Sequence, residues 1–122
     1  MHQTLTRVAI VVARITGTAA LVLGILLWLG YGGALLHAHM GTGVLLVLCL
    51  WLLAVLGLKA APGLAVLGLI WGAAVVALGI FQGILLPGDF HWVIKVAHLA
   101  VGASAMVQTE RLAGAIGRRA AA

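Results

Sequence analysis

Residues 36–58 read LHAHMGTGVLLVLCLWLLAVLGL, and after His39 no charged side chain occurs until Lys59. A helix needs about 20 mostly apolar residues to cross roughly 30 Å of hydrocarbon. This stretch meets that requirement unaided. Three others match it: 8–31, with Arg14 near its start, 64–86, and 91–113. The breaks between them carry turn chemistry: Gly30, Gly32 and Gly33, then Lys59 followed by Pro62-Gly63, then Pro87-Gly88-Asp89. All three connections are short, so neighbouring helices are expected to be antiparallel. The sequence thus predicts an all-α, integral membrane four-helix bundle with up-down-up-down topology, in one membrane domain covering residues 1–122.

Composition agrees. Of 122 residues, 65% are hydrophobic and 7% are charged, with a mean hydropathy of +1.28. A soluble domain carries about 45–50% apolar and about 25% charged residues. This excludes a soluble globular protein, a disordered chain and a disulfide scaffold. Cys49 is the only cysteine, so no disulfide forms within the chain.

Seven Lys and Arg against Asp89 and Glu110 give a net charge of +5. The bases sit at the ends of apolar runs, which suits orientation in a bilayer and not nucleic-acid binding. Arg7, Arg14, Lys59, Arg111, Arg118 and Arg119 fall on one side of a four-span bundle. Lys95, offset by Asp89, falls on the other. The positive-inside rule then predicts cytoplasmic termini, with loops 30–36 and 87–90 outside; in a bacterium this is the inner membrane with periplasmic loops. Arg14 within the first run, and the run's length, argue against a cleaved signal peptide. A tie between Arg14 and Glu110 is expected near the inner surface, and the residues before Arg7 and from Arg118 onward are read as solvated tails.

The chain matches itself at an offset of 59 residues. Gly24-Ile25-Leu26-Leu27 aligns with Gly83-Ile84-Leu85-Leu86, Ala38-His39 with Ala97-His98, and Gly43 with Gly102. Seven of the twenty positions from 24 to 43 are identical, against roughly two by chance. Each half reads as one helical hairpin. Two tandem hairpins of the same direction are related by a pseudo-twofold along the membrane normal, which sets His39 and His98 at equivalent depths facing each other.

His37, His39, His91 and His98 all fall in the outer half, whereas His2 lies in the N-terminal tail. Ionisable residues inside spans are costly and usually mark a site. On the fourth helix, His91, Lys95, His98, Gly102, Ala105 and Thr109 lie within about 40° of one line. On the second, His39, Gly43, Leu46, Leu50 and Gly57 do the same, and His37 points away. A glycine four residues after a histidine sits one turn along the same face. Gly43 and Gly102 therefore remove side chains where a flat macrocycle would slide between helices. A single metal ion would not need that clearance.

These features predict haem b held by His39 and His98 as the two metal ligands. Bis-imidazole ligation favours one-electron transfer over oxygen binding. Lys95 is placed to pair with a propionate. His37 and His91 are further candidates for propionate or proton contacts, and His91 is the rival ligand on the fourth helix. Gly17 and Gly24 on the first helix are candidates for close helix packing or for clearing a porphyrin edge. Gly68, Gly72, Gly79 and Gly83 form a small-residue stripe that suits helix packing, within the bundle or in a homo-oligomer. Two other readings stand beside this one: a copper or zinc transport or sensor protein using His37, His39 and His91, and a non-catalytic assembly subunit whose histidines bridge helices.

The set of His39 with Gly43, His98 with Gly102, and Arg111 at the cytoplasmic end of the last span resembles the small four-helix membrane b-type cytochromes. These are the cytochrome b561-like group and the copper-resistance D-like membrane domains near it. The resemblance implies haem b passing electrons from a donor such as quinol to an acceptor, and a haem-dependent membrane oxidoreductase as the enzymatic form. Members with two haems carry histidines near both membrane faces. Here the inner half of the spans has none, which restricts the expectation to one outer site. The chain also matches the size of small multidrug transporters, but those depend on a carboxylate in the first span, where this chain has Arg14.

Overall fold

The computed structural model describes residues 1–122 as four helices without strands: α1 (His2–Trp28), α2 (Ala34–Gly57), α3 (Pro62–Phe81) and α4 (His91–Ala121). Pro62 starts α3 at the first helical turn, where its missing N–H costs nothing. Gly30 and Gly88 take the left-handed backbone (φ 90° and 91°) that turns the chain after α1 and before α4.

α1, α2 and α3 are each long and apolar enough to cross a membrane. α4 is the longest helix, but His91, Lys95, His98, Gln108, Glu110 and Arg111 interrupt its apolar run. Large apolar side chains such as Ile15, Ile70, Ile80 and Val107 are exposed around the perimeter. Such a surface suits acyl chains and not water.

Two boundaries differ from the sequence reading. α3 ends at Phe81, not Leu86. Gln82 caps the helix and Gly83 comes next; Pro87 cannot donate to a continuing helix, and the chain turns through Leu86 at φ 45°. The supposed tails are helical: α1 begins at His2, with the buried Thr6 hydroxyl donating to the His2 carbonyl at 2.9 Å, and α4 continues to Ala121.

α1 packs against α2 and α4, and α3 packs against the same two, but α1 and α3 do not touch. α2 and α4 therefore meet across the centre. The core lies at one end. Leu50, Leu53, Ala54, Ala65, Ala105 and Leu112 are wholly buried. No residue of α2 before Leu46 or of α4 before Ala105 is buried. The half of the bundle that carries His37, His39, His91 and His98 thus lacks a core of its own.

Small residues make the close approaches. A Cβ on Gly57 would stand 3.0 Å from Leu112, and one on Gly17 would stand 2.9 Å from Met106. One on Gly72 would collide with the Trp51 indole, which donates to the Leu69 carbonyl at 3.1 Å. Gly68 and Gly72 are buried inside the chain, so this part of the third-helix stripe serves internal packing and offers no surface to a second copy. Gly83 lies beyond the helix.

Replacing Gly72 with Ala should displace Trp51 and break its hydrogen bond, destabilising the protein by about 1–3 kcal/mol. Gly117, in α4, has open space around it, and Gly117→Ala should stabilise by about 0.5–1 kcal/mol through helix propensity. Thermal midpoints in one detergent should therefore move in opposite directions.

Candidate functional site

α2 carries His39 and α4 carries His98, on the two helices that meet across the centre. Their ring centroids are 6.0 Å apart with planes at 67°, an edge-to-face arrangement. Each histidine stands seven residues, two helical turns, outward of the first buried core residue of its helix, Leu46 or Ala105.

The His39 Nδ1 lies 2.9 Å from the Ala20 carbonyl of α1. A carbonyl only accepts, so Nδ1 carries the proton, and in the neutral ring Nε2 then holds the lone pair. This is the usual arrangement of a metal-binding imidazole, one nitrogen anchored and the other available. Gly24 makes room for the ring: a Cβ there would stand 3.1 Å from His39 Cε1. Gly24 therefore seats the imidazole.

His98 sits against Gly79 of α3, where a Cβ would stand 3.5 Å from its Cε1. Its Nδ1 is buried and has no hydrogen-bond partner. Leaving such an atom unpaired costs about 1–3 kcal/mol. The two histidine seats are related but unequal. Ala20 and Gly79 correspond at the 59-residue offset, yet only the first supplies a carbonyl.

One turn inward of each histidine, Gly43 and Gly102 have nothing within 4 Å of an added Cβ. Both are half-buried, so open space adjoins each of these helices below the imidazole pair. A metal about 2.0–2.1 Å from each of two imidazole nitrogens places the ring centroids roughly 6 Å apart. The ring spacing, the unpaired His98 nitrogen and the space at both glycines suit a bis-imidazole cofactor, which would require one of the edge-to-face rings to turn its nitrogen toward the gap.

His37 and His91, at the same end of the bundle, lie elsewhere. His37 is exposed. His91 Nδ1 lies 3.3 Å from the Leu85 carbonyl, tying the start of α4 to the turn before it. No three His, Cys, Asp or Glu side chains are grouped to hold a metal ion. The His37, His39 and His91 set is therefore corrected: these side chains do not converge. Lys95 is half-buried, one turn outward of His98.

Arg14 and Glu110 form the expected tie between α1 and α4. It is bidentate, with Nε to Oε1 at 2.6 Å and Nη2 to Oε2 at 2.9 Å. Sequence reasoning missed the Ala20 carbonyl, Gly79, and the indole bonds of Trp51 and Trp71, the latter to the Val101 carbonyl at 3.1 Å. The 59-residue offset held the signal for the first two, because Ala20 and Gly79 occupy equivalent places four residues before Gly24 and Gly83. No family model, curated protein or solved structure matches the chain.

Replacing Gly24 with Val should push the His39 ring away from Ala20. Nitrogen-15 histidine spectra of the detergent-solubilised protein should then lose the hydrogen-bonded Nδ1 proton signal. Gly102→Ala, which meets no atom, should retain it.

Proposed function

We propose that the chain is a haem b-binding integral membrane protein acting in one-electron transfer at the outer membrane side, with His39 and His98 as the two ligands. The observation that carries this reading is the convergence of two imidazoles from the two crossing helices, 6.0 Å apart between centroids. One of them has an anchored Nδ1 and the lone pair on Nε2. The other has a buried nitrogen without a partner. In this reading the bundle has four spans, α4 included, in up-down-up-down order, and is built from two tandem hairpins. Its termini are cytoplasmic, and in a bacterium it occupies the inner membrane.

Haem b bound by two neutral imidazoles supplies a low-spin one-electron couple. The chain's own residues do the rest. Ala20 fixes the tautomer and orientation of His39. Gly24 and Gly79 set both rings at their depth, and Gly43 and Gly102 keep side chains out of the adjoining space. Lys95 offers a cation toward the outer surface for an anionic substituent, and the exposed His37 and the loop-tied His91 line the approach from that side. The apolar helix faces keep water out, lowering the local dielectric around the site. A quinol or a small redox protein at the outer surface would be the electron partner.

The test is the reduced-minus-oxidised visible spectrum of protein purified in detergent, with the haem-to-protein ratio. The expected result is a Soret band with sharp α and β bands. Loss of these should follow His39→Ala and His98→Ala separately, and His2→Ala should leave them intact. Loss on His91→Ala with retention on His98→Ala would reassign the fourth-helix ligand. A colourless protein that binds stoichiometric copper or zinc would overturn the haem assignment in favour of a bare metal ion.

A further inference from the structure

The Arg14–Glu110 pair stands at an unusual depth for an exposed ion pair. Arg119 of α4 donates to the Lys59 carbonyl in the loop between α2 and α3, so that turn of α4 lies level with the loop. Glu110 is nine residues earlier, about 13 Å along the helix toward the histidine end. Gly57, the last residue of α2, packs on Leu112 and Ile116, so Glu110 lies about 3–9 Å from the end of α2 toward the histidine end, within the outer part of a half-layer of about 15 Å. Yet its side chains are 61% and 46% exposed on the outer surface between α1 and α4. Exposed Ile15 and Val107 flank it.

The hydrogen bonds of the pair are unfinished. A guanidinium has five N–H donors and a carboxylate about four acceptor sites. Two of each are used within the chain. Acyl chains supply neither donors nor acceptors. A cleft of about 150 Å³ opens at the pair, lined also by Ala13, Met106 and Thr109.

We propose that a second copy of this chain covers the α1–α4 face, with Arg14 of each copy pairing with Glu110 of the other. The face is self-complementary. It presents one cation beside one anion at the same depth. A twofold along the membrane normal preserves depth and sets each cation opposite the other copy's anion. The spare donors then meet the spare acceptors, and the four charges form a closed, neutral ring shielded from lipid. Thr18, one turn along α1 from Arg14, is exposed and lines an adjoining shallow surface of α1 with Arg14, Ile15 and Val22. This interface is separate from the histidine pair and does not rest on any cofactor.

The experiment uses full chains carrying two different affinity tags, co-expressed and captured from mild detergent. Wild-type copies should co-purify. Arg14→Glu copies should co-purify with one another at least tenfold less well, and Glu110→Arg copies likewise. Arg14→Glu together with Glu110→Arg should recover wild-type capture, because opposite charges again meet across the interface. Failure of the mixed pair to recover, or absence of wild-type capture, overturns the proposal. A second measurement leaves the charges intact. In a Cys49→Ala background, Thr18→Cys should cross-link between copies with a short bismaleimide in native membranes at least fivefold more than Val66→Cys, on α3. Equal cross-linking at the two positions overturns it.

Discussion

The packing of α2 against α4 in the Lys59 half of the bundle governs the rest of the molecule. Leu50, Leu53 and Leu112 fill that region with no exposed surface, and Gly57 and Gly68 admit Leu112 at distances an added Cβ would not tolerate without a shift. A close-packed interior resists gradual deformation. The spacing it imposes on the two helices is carried outward along rigid rods. His39 and His98 sit two turns beyond the last of this packing, where no residue is fully buried. Their separation is therefore set from below, by leucines and glycines, more than by any contact the rings make with each other.

The apolar surroundings make every polar atom informative. Thr16, Thr42 and Ser104 return their hydroxyls to carbonyls of their own helices, and Trp51 and Trp71 donate to carbonyls of neighbouring helices. Without water to accept the bond, a group left alone is expensive. Against that background the unpaired nitrogen of His98 stands out, as does the buried Gln108 Oε1. The first lies at the imidazole pair, where the proposed cofactor would bind. No neighbouring group accounts for the second.

The internal repeat was visible as an ungapped match, and the pairing of His39 with His98 followed from it. The inequality of the two seats was not visible. Gly24 and Gly83 are equivalent in sequence, but α1 remains helical through Gly24 while α3 has ended at Phe81 before Gly83 is reached. Pro87, which stands where the first half has Trp28, bars the helix from running on past Leu86. Gly24 accordingly touches His39, and Gly83 touches nothing. The glycine stripe of the third helix shows the same limit. Its spacing announced a packing face but not the partner, which proved to be Trp51, Leu50 and Leu112 of the same chain.

By itself the sequence determined the solvent, the class and the number of helices. Apolar runs of bilayer length, broken by Gly, Pro and a lone Lys, admit few other arrangements, because hydrogen-bond satisfaction in hydrocarbon allows the backbone little choice but helix. It also singled out the two histidines and the Arg14–Glu110 tie, since polar residues are rare here and each invites a partner. Only the tertiary structure decided which helices meet across the centre, that Ala20 holds His39 while His98 goes without, that the core occupies one end, and that the ion pair faces outward. Those outcomes depend on helix rotation and crossing. Side-chain volumes on several helices set these jointly, and no linear spacing encodes them.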